Sequence, residues 1–124
     1  MANETTFDFE DGNGPVPAHQ HSNGGGWVAD TANVADTVIV GPDARVFGDA
    51  QVSGTASVGG NARISGNARV SDTTIVADNA WVSGDAQVSQ GAWVCEEAVV
   101  TGEARVLGAA WLRDNVRISE GVHC

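Results

Sequence analysis

The chain is short of basic residues and has no lysine at all. Its 124 residues include 16 Asp and Glu against six Arg, which gives a formal net charge of −10. A protein with this charge is repelled by the phosphates of nucleic acids and by anionic membrane surfaces. We therefore expect neither nucleic acid nor a membrane among its partners.

Long apolar runs and paired cysteines are also missing. No segment approaches the length of a transmembrane helix, and the N-terminus lacks the basic and apolar regions of a signal peptide. The chain has two cysteines, Cys95 and Cys124. In the repeating pattern of the chain they lie nearly two turns of a solenoid apart, too far for a disulfide within one chain. We expect free thiols, which suit a reducing compartment such as the cytoplasm.

A six-residue repeat fills most of the chain. Every sixth residue from Val28 to Cys124 is Val, Ile or Leu, apart from the final cysteine, and twelve of the seventeen residues two places earlier are alanine. The remaining positions are rich in Gly, Asp, Asn, Glu and Thr, which favour turns. A helix needs apolar residues near a 3.6-residue spacing and avoids interior glycine, so the pattern excludes a helical repeat.

Each repeat is predicted to form one short strand that ends in a turn. Alternate side chains of a strand share a face, so the Ala and Val positions point inward and the residue between them points outward. One such strand cannot bury its inner face alone. The strands must therefore stack into a solenoid whose interior consists of columns of Val and Ala.

The repeat from Val28 to Cys124 resembles the hexapeptide repeat of the left-handed parallel β-helix family, in which three hexads, or eighteen residues, make one coil. The resemblance implies an all-β, single-stranded left-handed parallel β-helix of about five to six coils. We predict an N-terminal lead-in or cap over residues 1–24 and the β-helix over residues 25–124. A right-handed β-helix is the alternative.

With eighteen residues per coil, the outward residues fall into three columns, one on each face. The first face contains Arg45 and Arg63, and the second face is polar. The third face is apolar. The first column is Trp27, Arg45, Arg63, Trp81, Val99 and Arg117; the second is Asn33, Gln51, Arg69, Gln87, Arg105 and His123; the third is Ile39, Ser57, Ile75, Trp93 and Trp111.

The third face is predicted to be an interaction surface, because an apolar stripe of this kind is unusual on a monomer. Family members commonly form parallel homotrimers around a threefold axis, and the resemblance implies the same here. The predicted interface residues are Ile39, Ile75, Trp93 and Trp111. The alternative is that the aromatic side chains only stack along the ladder of strands, without a partner.

The first face offers a candidate site for a small anion. Arg45 and Arg63 lie on adjacent coils, with Trp27 and Trp81 beside them. Guanidinium groups next to an aromatic platform suit phosphate, nucleotide or carboxylate ligands in a cleft between subunits. The competing interpretation is that these arginines are structural.

The lead-in contains a candidate metal site and a candidate cap. His19 and His21 lie two residues apart, so a threefold axis could gather six imidazoles around a metal; the alternative is that both histidines form hydrogen bonds within the cap. Phe7 and Phe9 are predicted to cover the open first coil. The repeat continues to the last residue, so end-to-end stacking into longer rods is a further alternative.

Catalysis is not expected, and neither is a cofactor. Acyltransferases of the hexapeptide family carry a histidine base beside loops that interrupt the coils, whereas this repeat has no interrupting loop and contains one histidine, His123. A minimal acyltransferase is therefore the weaker alternative. We predict a non-catalytic structural or interaction module of a phage, prophage or bacterium, located in the cytoplasm or, if phage-encoded, in the host cytoplasm or the virion.

Overall fold

Short strands, spaced six residues apart except for the last, form the repeat region of the computed structural model, which describes residues 6–9, 15–108 and 110–123. Two strands precede the repeat, β1 (Thr6–Asp8) and β2 (Pro15–Gln20). The repeat strands are β3 (Trp27–Ala29), β4 (Asn33–Val34), β5 (Ile39–Val40), β6 (Arg45–Val46), β7 (Gln51–Val52), β8 (Ser57–Val58), β9 (Arg63–Ile64), β10 (Arg69–Val70), β11 (Ile75–Val76), β12 (Trp81–Val82), β13 (Gln87–Val88), β14 (Trp93–Val94), β15 (Val99–Val100), β16 (Arg105–Val106), β17 (Trp111–Leu112), β18 (Arg117–Ile118) and β19 (Val122–His123).

The repeat strands build three parallel sheets, one on each face of a β-solenoid of about five turns. Each strand pairs with the strands three before and three after it, so that β11 lies between β8 and β14. Val76 is opposite both Val58 and Val94, which is a step of eighteen residues in each direction. The predicted parallel β-helix with three hexads per coil is confirmed. The left-handed winding stays a prediction of the family resemblance.

The core is the set of Ala and Val columns inside the solenoid. Val46, Val58 and Ala62 are fully buried, as are most other members of these columns. Thr74 takes an alanine position and is also fully buried, and its hydroxyl donates to the Ser71 carbonyl at 2.7 Å. Burial of this polar side chain is acceptable because its hydrogen bond is made inside the protein.

The corners follow an equally regular rule. Every sixth residue from Gly48 to Asp114 has a positive φ angle. Glycine adopts this conformation without strain, whereas other residues do so at a cost. At Asp72 and Asp78 the side chain offsets part of that cost, because its carboxylate accepts a hydrogen bond at 3.0 Å from the backbone N–H of the residue one coil later.

The lead-in covers the first coil with its backbone. Strand β2 pairs antiparallel with β3, and Val40 in β5 exchanges backbone hydrogen bonds with Asn23 and Gly26 at 3.0 and 2.9 Å. The two lead-in phenylalanines, expected to cover the open coil, pack instead against the outer side of the first sheet. Phe9 is buried there with its ring stacked on Phe47 at 4.8 Å between centroids.

The last coil departs from the predicted register. Val122 lies opposite Arg105 and His123 opposite Val106, a step of seventeen residues. The corner glycine comes one residue late, so Gly121 takes the positive φ of 87° in place of Glu120. The prediction that the repeat stays in register to the end was therefore wrong for the last hexad: His123 does not follow Arg105 in the second column. Cys124 lies outside the described residues.

No helix in the described part of the chain is long and apolar enough to cross a membrane.

Candidate functional site

The structure brings the predicted third-face residues together in one column. Ile39 lies opposite Ser57, Ser57 opposite Ile75, Ile75 opposite Trp93, and Trp93 opposite Trp111. Three of the four large side chains are well exposed: Ile39 at 46%, Trp93 at 45% and Trp111 at 57%, while Ile75 is partly buried. The third face therefore carries an apolar stripe, largely open to solvent, on four of the five strands of its sheet, with Ser57 on the remaining strand.

Trp111 is exposed but has several contacts within the chain. Its ring meets that of Trp93 edge to face, with centroids 5.8 Å apart. Its indole Nε1 donates to the Cys95 sulfur at 3.4 Å, and the Arg113 guanidinium lies 4.8 Å from the ring centroid. The roles of Cys95 and Arg113 were not predicted from the sequence. Their positions in the sequence could have indicated these contacts, because Cys95 follows Trp93 by two residues and Arg113 follows Trp111 by two residues. Both residues therefore lie beside the third column.

This surface is suited to contact with another protein. Between the two tryptophans lies a shallow depression lined also by Gly91 and Ala110, where the chain presents little side-chain bulk. Tryptophans held in a fixed orientation lose little conformational entropy on binding, and tryptophan is enriched among the residues that dominate interface energies. The arrangement forms no enclosed cavity, so a flat protein surface fits it better than a small molecule.

The predicted residues of the first face also line up in one column. Trp27 lies opposite Arg45, Arg45 opposite Arg63, and Arg63 opposite Trp81. Trp27 is partly covered by Phe7, whose ring stacks on it at 4.7 Å. Trp81 is 45% exposed.

Two of the three arginines of the first face, Arg45 and Arg63, lie against aromatic rings. The Arg45 guanidinium is 4.9 Å from the centroid of Phe7, and that of Arg63 is 5.3 Å from the centroid of Trp81. Phe7 was not predicted to belong to this face. It lies outside the repeat, so the eighteen-residue period does not place it on any face.

The two lead-in histidines contact different parts of the first coil. His19 is exposed, and its Nδ1 is 2.8 Å from a carboxylate oxygen of Asp30. His21 is buried, and its Nε2 is 2.7 Å from the Val38 carbonyl oxygen. Because a carbonyl only accepts, the hydrogen of this bond belongs to His21 Nε2. Among the described residues of one chain, no three His, Cys, Asp or Glu gather as a metal site would require. Metal binding between subunits stays a prediction.

Comparison with known proteins supports the solenoid assignment. A family model described as the YdcK beta solenoid repeat matches residues 62–78. This segment contains β9, β10 and β11 with their corners, which is nearly one coil. Neither the curated proteins nor the solved structures give a significant match. The chain is thus a β-solenoid repeat protein, and its role has to be argued from its surfaces.

Proposed function

We propose that this chain is a non-catalytic structural or interaction module that forms a parallel homotrimer through its third face. Ile39, Ile75, Trp93 and Trp111 lie near the threefold axis in this assembly. The observation that carries the proposal is the exposure of Ile39, Trp93 and Trp111 in one column of a single sheet of the solenoid. Such stripes mark interaction surfaces.

Charge favours the third face as the one that meets copies of itself. Its column holds no charged residue. The first column contains Arg45 and Arg63, and the second contains Arg69 and Arg105. In a parallel arrangement around an axis each residue meets its own copy, so either of those columns would bring like charges together.

The apolar area is large enough to matter. A tryptophan side chain buries roughly 200 Å² when fully covered, and apolar burial contributes about 25 cal/mol per Å². Trp93 and Trp111 are each about half exposed. Covering the rest of both rings would contribute about 5 kcal/mol for each chain. This gain has to offset the loss of translational and rotational freedom on association. Because the orientations of both tryptophans are already fixed in the single chain, their side chains add little further loss of entropy.

The regular corners support a non-catalytic role. From β3 to β18 the strands start at six-residue intervals, so every connection between them has a similar length. Among the described residues of this stretch, no longer loop rises to form the wall of a substrate pocket. Acyltransferases of the hexapeptide family, which the repeat resembles, depend on such loops, so acyl transfer is the weaker candidate for this chain.

The absolute mass in solution, measured by light scattering, tests the proposal. The chain mass is 12.7 kDa, and we expect wild type at three times that value. Trp93→Asp places a charge on the third face and should give a single chain. Trp81→Asp is the matched control, because Trp81 has the same 45% exposure as Trp93 but lies on the first face. It should remain trimeric.

Circular dichroism of both variants separates loss of assembly from loss of fold. A monomeric wild type would overturn the proposal. A wild-type trimer that survives Trp93→Asp and dissociates in Trp81→Asp would also overturn it, because the interface would then lie on the first face.

A further inference from the structure

A polar groove runs along the second face, between a column of long side chains and a column of serines. Arg69 lies opposite both Gln51 and Gln87 in the first column. The second column consists of the residues two places further along the chain, Ser53, Ser71 and Ser89. Between the columns lies a depression of about 200 Å³. Its floor is the backbone of Val70 and Val88, whose side chains are buried in the core.

The groove continues toward the N-terminal end of the stack. A second depression, of about 340 Å³, is lined by residues 33–35 and 51–53. Because it shares Gln51 and Ser53 with the first, the two form one second-face groove across β4, β7, β10 and β13. A long polar side chain recurs on each of these strands. A site that repeats in this way suits a ligand that also repeats along its length.

The polar side chains of the second-face groove have no partners within the described part of the chain. None of them forms a side-chain hydrogen bond or an ion pair with another described residue. The neighbouring corner behaves differently: Asn67 donates to Asp85 at 3.2 Å, and Ser83 donates to Thr101 at 3.2 Å. Arg69 also lacks the ring contact that other arginines of the chain make. The donors and acceptors of the groove are therefore open to a ligand.

These groups match the hydroxyls of a sugar and a carboxylate. Amide and serine side chains each donate and accept hydrogen bonds, as a sugar hydroxyl does. Arg69 only donates, in a planar fork that fits a carboxylate. Among the described residues, no acidic side chain lines the groove. The net charge of −10 opposes a ligand with a charge on every unit, so we expect its carboxylates to be sparse.

An extended peptide fits this groove less well. Peptides are recognised by pairing with a sheet edge or by pockets for apolar side chains. The groove lies over the face of its sheet, where the backbone is already paired: the N–H groups of Ser53 and Ser71 donate to Val70 and Val88 at 2.9 and 3.0 Å. No aromatic side chain lines it among the described residues. A hydroxyl-rich ligand uses this surface better.

We propose that the second-face groove binds a short linear oligosaccharide with a uronic acid unit opposite Arg69. The hydroxyls of the sugars on either side meet Gln51, Gln87 and the serines. The ligand runs along the stack, across the strands. The site is complete within one chain and lies outside the third face, so it does not depend on the trimer proposed above.

Binding to an array of linear tetrasaccharides tests the site. The array carries uronic acid fragments of hyaluronan, alginate and pectin beside neutral fragments of cellulose, chitin and starch. We expect binding among the uronic acid fragments, measured for the strongest by titration calorimetry. Its carboxyl-reduced form should bind at least about tenfold more weakly, because a hydrogen-bonded charge contact to Arg69 is lost.

Three variants localise the binding. Arg69→Gln should lose at least about tenfold in affinity for the same reason. Ser71→Leu should block the groove while the chain still folds, because Leu107 occupies the equivalent position two coils later. Arg117→Gln, the matched control, removes an exposed arginine from the first face and should bind like wild type. Circular dichroism of each variant checks the fold.

Four results would overturn the proposal. The first is that no tetrasaccharide binds, and the second is that neutral fragments bind as tightly as the uronic acid ones. The third is that Arg69→Gln and Arg117→Gln behave alike. The fourth is that a tetraglutamate peptide binds as tightly as the strongest sugar, which would make the ligand a peptide. Light scattering is read separately, so a failure here is distinct from a failure of the trimer.

Discussion

Single residues decide whether a corner of the solenoid can form. Every sixth residue from Gly48 to Asp114 has a positive φ, and most of these residues are glycines. Where the residue is Asp72, Asp78 or Gln90, its side chain accepts a backbone N–H from the next coil at 3.0 Å. A residue without such an acceptor would have the strain and no compensating bond.

Gly54→Ala is expected to destabilise the protein by about 1–2 kcal/mol, the cost of a left-handed conformation for an L-residue. Gly54 has φ of 71°, and an added Cβ would lie 2.8 Å from the backbone nitrogen of Asp72. Gly59→Ala is the control, since Gly59 has no positive φ and its Cβ would meet nothing within 4 Å. Chemical denaturation should show a loss of stability for Gly54→Ala only. Equal stability of the two variants would contradict the corner rule.

The β1–β2 hairpin lies outside the repeat. It extends the first sheet through β2 and packs a small second core against the outside of that sheet. Phe9, Ala29 and Phe47 are buried in this core. The hairpin therefore depends on aromatic packing as well as on strand pairing.

Phe9→Ala is expected to detach the hairpin without unfolding the solenoid. Removal of a buried phenylalanine side chain costs about 3–5 kcal/mol, which is more than a small hairpin withstands. Hydrogen exchange should accelerate in residues 15–20 and stay slow in the central coils, because stability in a solenoid is local. Unchanged protection of residues 15–20 would show that strand pairing alone holds the hairpin.

At the scale of the whole molecule, the eighteen-residue register decides which side chains share a face. Any deletion of a full coil keeps the columns aligned, whereas a deletion of one hexad moves every later residue to the next face. Deletions of chosen length can therefore move part of a column from one face of the solenoid to another.

Deletion of residues 55–72, one full coil, is expected to give a shorter solenoid that still forms a trimer. Ile39, Ile75, Trp93 and Trp111 stay in one column in this variant. Deletion of residues 97–102 should also fold, but it leaves Trp93 on the third face, moves Trp111 to the second face and brings Arg117 into the third column. Light scattering should find a trimer for the first deletion and a single chain for the second. If both variants formed trimers, assembly would not depend on the third face.

Much of this architecture could be predicted from the sequence, because inward and outward positions alternate along a strand and the hexads keep their spacing. The columns that contain Arg63 and Trp93 follow directly from this spacing. The hairpin packing of Phe9 could not be predicted, since the lead-in has no period. The shift at Gly121 arises from one glycine that comes a residue late. The contacts of Trp111 depend on side-chain rotamers, which the spacing of the hexads does not specify.

The most direct test is whether a given third-face residue lies close to its own copies in the other two chains. A spin label on Ser57→Cys, in a chain that also carries Cys95→Ser and Cys124→Ser, lies between Ile39 and Ile75 in the third column. A label on Gln87→Cys reports on the second face. In a parallel trimer the Ser57 labels lie close together, so their spectrum should be broadened and should sharpen on dilution with unlabelled protein, while the Gln87 spectrum stays narrow. A narrow Ser57 spectrum that does not change on dilution would contradict the account.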